Sequence, residues 1–160
     1  MSGLSFLKEP ALSHFDHDYV EDLIVRLQRI PADAKPEWGK LDRDKLIAHL
    51  INTVRYSMGR LGALPDYGNW FTKRILAPLV MNGIVPLKKN VKVPGAVPRS
   101  RSATPEDLET LHALLEEYLQ LVQADELSPP PHPFFGDLGV DGWAKMHLAH
   151  FKHHLKQFGA

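Results

Sequence analysis

Apolar residues recur at helical spacing in four parts of the chain, and no stretch keeps the strict alternation of a half-buried strand. Over residues 16–30, Tyr19, Val20, Leu23, Ile24, Leu27 and Ile30 form one stripe, and Pro31 ends it. A second helix is expected over residues 42–60, with Asp42 as N-cap, Leu46, His49, Leu50, Thr53 and Ser57 on one face, and Gly59 and Gly62 closing it. A third opens at Thr104 in TPED, which offers a capping hydroxyl, a proline at the first helical position and acids against the positive helix end. Its stripe is Leu108, Leu111, Leu115, Tyr118 and Val122. The fourth covers residues 141–158 and is entered through the stiff PPPHP run at 129–133. Residues 61–103 connect the second helix to the third; an apolar patch at 70–81 suits a further helix, and Pro86, Pro94 and Pro98 mark irregular crossover. The pattern predicts an all-α chain, a single four-helix-bundle domain over residues 1–160 with a long crossover between helices 2 and 3.

The last helix carries the most unusual face. With about 100° per residue and Trp143 at zero, Met146 falls at about 300°, His147 at about 40°, His150 at about 340°, His154 at about 20° and Gln157 at about 320°. Leu148, Phe151, Leu155 and Phe158 form an adjoining apolar strip, whereas Lys145, Lys152 and Lys156 gather on the opposite, solvent side. His150 and His154 therefore point inward, with His153 at the margin. Histidines at i and i+4 have Cβ atoms about 5–6 Å apart, and their rings can converge on one ion at about 2.0–2.1 Å per bond. A third ligand must come from elsewhere. His49, set between Leu46, Leu50 and Thr53 on a core-facing stripe, is one candidate, since an imidazole buried without a partner costs free energy. His147 is its rival, His112 on the third helix could be a fourth ligand, and Gln157 stands one turn beyond His154 as an orienting or substrate contact. The alternative for each residue is plainer: a histidine pair also suits a solvated face, and a lone core histidine is commonly just hydrogen-bonded. His14, His17 and His132 read as surface or loop residues.

Composition narrows the chemistry. Lys plus Arg balance Asp plus Glu at 19 each, so no global field draws in nucleic acid or an anionic membrane. The balance is local as well: residues 71–103 carry only basic charges and residues 104–127 only acidic ones, so the two segments could attract each other. There is no cysteine, hence no disulfide, no thiolate metal site and no cysteine nucleophile; a metal must be held by N and O donors. The N-terminal residues lack the basic-then-apolar pattern of a leader, and no run reaches the ~18 apolar residues of a spanning helix. The expectation is a cytoplasmic protein acting on a small-molecule substrate. Trp70, Phe71, Leu76, Leu79, Val80 and Met81 could pack on the bundle or form a homodimer surface.

Two segments resemble a known family. KPEWGKLDRDKLIAHL at residues 35–50 and HPFFGDLGVDGWAKMHLAHFKHHLKQFG at residues 132–159 are similar to the DinB/YfiT-like metalloenzyme superfamily, and within it to a branch of unknown function with the same HPFFG approach to its last helix. The resemblance implies an up-down-down-up four-helix bundle with a divalent metal, often zinc or nickel, held by three histidines near one end. Carried over, the ligands fall on His49, His150 and His154. Gly139 departs from the pattern, which usually offers a Ser or Thr cap there. Relatives include thiol-dependent S-transferases and isomerases, so the resemblance implies a metal-dependent transferase or hydrolase that takes a low-molecular-weight thiol from outside the chain. The basic residues from Lys88 to Arg101 could then hold the thiol's carboxylates, or simply be a solvated loop. A metal-binding module or sensor without turnover is the alternative, and a purely structural helical protein a third reading.

Overall fold

The structure, a computed structural model, describes residues 14–87, 89 and 107–160. Local signals set the first two helices almost where the apolar stripes place them. Helix α1 (His17–Arg29) starts where the Asp16 carboxylate accepts the Tyr19 N–H at 2.9 Å, and it buries Tyr19, Val20, Leu23 and Leu27. Helix α2 (Arg43–Ser57) starts the same way, with Asp42 accepting the Lys45 N–H at 2.8 Å. It ends three residues before Arg60.

The 70–81 patch is helical. A π-helical stretch, Thr72–Leu76, runs directly into the short helix α3 (Ala77–Met81). Its apolar residues divide. Leu76, Val80 and Met81 pack on Tyr56, Trp143 and Met146, whereas Trp70 stays 71% and Phe71 56% exposed. The crossover approaches the HPFFG turn very closely: the Tyr67 N–H donates to Pro133 O at 2.8 Å and the Thr72 hydroxyl to Phe134 O at 2.9 Å. Gly68 permits this, because a Cβ there would lie 2.2 Å from the Phe134 carbonyl oxygen.

Helix α4 (Leu108–Gln123) is capped by Asp107, whose carboxylate accepts the Thr110 N–H at 2.9 Å. The expected TPED start is thus displaced by three residues; Thr104 and Pro105 lie outside the described residues. Leu111, Leu115 and Tyr118 are buried as the stripe requires, but Val122, at the end of the helix, is 36% exposed, and Leu114 joins the core instead. Helix α5 (Gly139–Gln157) begins two residues early, because the Leu138 carbonyl already accepts the Gly142 N–H at 3.2 Å. No side chain caps α5 at its N-cap, Leu138; one residue earlier, the Asp137 carboxylate accepts the Gly139 N–H at 3.3 Å.

The fold is all-helical among the described residues, with one isolated antiparallel bridge between His132 and Gly136 and no strand. Helix α4 packs on α1 and α2, and α5 on α1, α2 and α3. Leu23, Leu27, Leu46, Leu50, Ile51, Leu111, Leu115 and Phe151 lie between the four long helices, each at most 1% exposed. Burying such a side chain contributes about 1.5–3 kcal/mol, so this cluster supplies the main driving force for folding. The basic and acidic segments do not pair as expected in their described parts: Lys73 bonds Asp66 within its own crossover at 2.5 Å, and the partner of Glu117 on α4 is Arg60. No helix among the described residues is long and apolar enough to cross a membrane.

Candidate metal centre

The angular reading of α5 holds in three dimensions. Trp143, Met146, His147, His154 and Gln157 are buried, His150 is half-buried, and Lys145, Lys152 and Lys156 face solvent. Helix α2 brings His49 against this face, because Leu46, Leu50 and Val54 must enter the core and His49 lies on the flank of that stripe. The three rings meet. His49 Nε2 lies 3.0 Å from His150 Nε2, and His154 Nε2 lies 2.9 Å from the same atom. One ring nitrogen from each residue falls within 4.8 Å of the other two.

Hydrogen bonding alone satisfies this cluster poorly. A neutral imidazole nitrogen carries either one proton or one lone pair, and His150 Nε2 faces two partners at once. The His154 Nδ1–H donates to Gln157 Oε1 at 2.7 Å, which leaves His154 Nε2 as a bare lone pair aimed at the cluster. His150 Nδ1 is buried without a partner among the described residues. Burial pushes all three histidines below their ordinary pKa, and each is lowered further by positive charge on neighbouring histidines; His154 is driven down to about 3. At neutral pH they present uncharged nitrogens, the form that binds metal. Ligands at about 2.0–2.1 Å around a tetrahedral ion stand roughly 3.3 Å apart, so the donor set fits a divalent cation after an opening of a few tenths of an ångström.

The segment before α2 closes over the end of α5. The Glu37 N–H donates to Gln157 O at 2.6 Å, and Trp38 stands edge-on to His153, with ring centroids 6.1 Å apart. Lys89 Nζ lies 4.1 Å from the Trp38 ring centroid. Gly39 sits at φ 85°, and a Cβ there would be 2.9 Å from Gln157 Nε2. Of the basic residues from Lys88 to Arg101, Lys89 alone falls within the described residues.

A family model described as a protein of unknown function, DUF1569, matches residues 14–160, a span that includes every residue of this cluster. The chain belongs to the DUF1569 family. No curated protein and no solved structure matches it.

The other histidines of this DUF1569 chain do different work. His147 does not join the cluster found here: its ring is fully buried, stacked on Phe151 at 5.5 Å, and its Nε2 lies 2.9 Å from Ser57 Oγ. Because the Ser57 hydroxyl donates to Val54 O at 2.7 Å, its oxygen accepts from the His147 Nε2–H. His112 turns to α1, where its Nε2 lies 2.5 Å from Glu21 Oε1. His132 lies in the connection before α5, half-buried. Its Nδ1 accepts the Phe134 and Phe135 N–H groups at 3.1 and 3.2 Å, its ring stacks on Phe135, and burial lowers it to about 4. The PPPHP run supplies more than stiffness, since Trp143 Nε1–H donates to Pro130 O at 2.9 Å and the Tyr56 hydroxyl to Pro131 O at 3.0 Å. Sequence reading missed Trp38 and Gly39 at the site, although the KPEWG segment that carries them was visible. It also passed over His17, which at the α1–α4 seam lies 2.8 Å from Glu116 Oε1.

Proposed function

We propose that this chain is a metal-binding protein in which a divalent cation, zinc or nickel, is held by the Nε2 atoms of His49, His150 and His154. We further propose that it has the up-down-down-up four-helix bundle of the DinB/YfiT-like superfamily and acts on a small molecule as a thiol S-transferase or hydrolase. The convergence of three uncharged ring nitrogens from α2 and α5 carries the reading. A cation bound there would supply Lewis-acid activation of water or of a small thiol. Three neutral imidazoles leave its charge uncompensated, which favours an anionic ligand, and with no cysteine in the chain a thiol comes from outside.

The protein's own residues have definite tasks in this scheme. Gln157 holds the His154 tautomer by accepting at Nδ1, so that Nε2 is the donor to metal. Trp38 and the backbone of Glu37 close the outer side of α5 beside the cluster and limit the approach of water there.

One observation favours the second reading, a metal-binding or sensor module without turnover. Among the described residues, the hydrogen-bond partners of the three rings are one another and Gln157, and none is a carboxylate that could move a proton. Elemental analysis of untagged protein tests the shared premise: wild type should hold metal that His49→Ala and His154→Ala both lose. Undiminished metal in both variants removes both readings. A screen of thiol-dependent transfers with metal-loaded protein then separates them, since a rate no greater than that of free metal leaves binding without turnover.

A further inference from the structure

A second group of ligand-type side chains lies away from the three-histidine cluster, on the pair of helices that contributes nothing to it. On α1, His17 and Glu21 are one turn apart; on α4, His112 and Glu116 are one turn apart. Residues at i and i+4 share a helix face, and α1 packs directly on α4, so four donors meet along one seam. Their contacts cross. His17 Nδ1 lies 2.8 Å from Glu116 Oε1, and His112 Nε2 lies 2.5 Å from Glu21 Oε1. One donor atom each from His17, Glu21 and Glu116 falls within 4.8 Å of the others.

Charge favours a cation here. Glu116, Glu21 and Asp18 all press negative potential on His17 and raise its pKa, the Glu116 hydrogen bond most strongly. Among the described residues, the ion-pair partners of Glu21 and Glu116 are histidines only. Glu21 and Glu116 approach each other across the seam, each met by a histidine of the opposite helix. Two isolated exposed ion pairs would stabilise it little. A divalent ion taking an imidazole nitrogen and two carboxylate oxygens would compensate both acids at once, and mixed N and O donors suit zinc, nickel or copper.

We propose that the α1–α4 seam is a second divalent-cation site, with His17, Glu21 and Glu116 as ligands and His112 holding Glu21 in place. The site joins two helices that are separate in sequence, so occupancy staples α1 to α4. It needs neither α2 nor α5.

Zinc alone is the probe, added to chelator-stripped, desalted, full-length protein and followed by calorimetric titration and by thermal unfolding. His17→Ala/Glu116→Gln should bind one equivalent fewer than wild type, and this difference should persist in a His49→Ala/His154→Ala background. Zinc should raise the unfolding temperature of His49→Ala/His154→Ala but lose that effect when the seam substitutions are added. His112→Ala should weaken the seam equivalent about tenfold, as loss of a ligand-orienting partner does. Equal zinc stoichiometry in wild type and His17→Ala/Glu116→Gln overturns the proposal, whatever happens at the three-histidine cluster. All four seam side chains are partly exposed, so these substitutions should leave the apo fold intact; circular dichroism of each variant checks this.

Discussion

Gln157 Oε1 lies 2.7 Å from His154 Nδ1 on the same turn of α5, and this one contact decides which nitrogen of His154 faces the cluster. Replacing the amide by an isosteric hydrocarbon, Gln157→Leu, frees the ring to adopt the other tautomer. Metal affinity measured by chelator competition should fall 10- to 100-fold, the usual cost of losing an orienting partner, while Gln157→Glu, which keeps the acceptor, should lose far less. Equal affinity in wild type and Gln157→Leu would show that packing alone orients the ring.

Gly39 backs that contact from outside the helix. Its φ of 85° disfavours any residue with a Cβ, and that Cβ would press on Gln157 Nε2. Gly39→Ala should therefore cost about 1–2 kcal/mol in urea unfolding and weaken metal binding in the same direction as Gln157→Leu. Combining the two substitutions should lower affinity by less than the product of their separate effects, because both act through one ring. Fully multiplicative effects would place Gly39 outside the site.

The parts of the site legible in sequence were those carried by local periodicity. His150, His154 and the opposing lysines declare the inner face of α5 because each helix residue advances by a fixed angle, and His49 sits in a stripe whose leucines must be buried. Asp42 announces the start of α2 because an aspartate side chain can reach the third N–H of a new helix. What sequence could not supply was the meeting of distant segments. Gly39 and Gln157 are far apart in the chain, and only the path of the loop before α2 brings them together. The i, i+4 pairs on α1 and α4 were visible singly, yet their crossing depends on which helices are neighbours. His132 does lie in the connection before α5, but nothing in PPPHP says that its ring folds back between Phe135 and Trp143.

Ser57 gives a test of the buried polar pair. Its oxygen accepts from the His147 Nε2–H, and both residues are fully buried. Ser57→Ala leaves that N–H without a partner, and an orphaned buried donor costs about 1–3 kcal/mol. Ser57→Thr keeps the hydroxyl and should recover part of the loss unless its extra methyl overpacks the site. Unfolding by urea distinguishes these, and a Ser57→Ala protein as stable as wild type would mean that the donor finds another acceptor.

His147 also makes stability depend on pH. Burial holds it down to about 3, against an ordinary value of 6.5 when the chain is unfolded. Between these values the unfolded state binds the proton and the folded state does not, so stability rises with pH through this window and falls as pH drops from about 6.5 toward 3. From pH 7 to pH 5 this one group should cost about 2 kcal/mol, since each pH unit inside the window is worth about 1.36 kcal/mol. His154, also lowered to about 3, and His132, lowered to about 4, act in the same direction in metal-free protein. His147→Leu should therefore be less stable than wild type at pH 7, because it loses the Ser57 contact, yet should lose about 2 kcal/mol less between pH 7 and pH 5. Urea unfolding of both metal-free proteins at the two pH values reads this directly, and parallel losses in the two would show that His147 takes up its proton without unfolding.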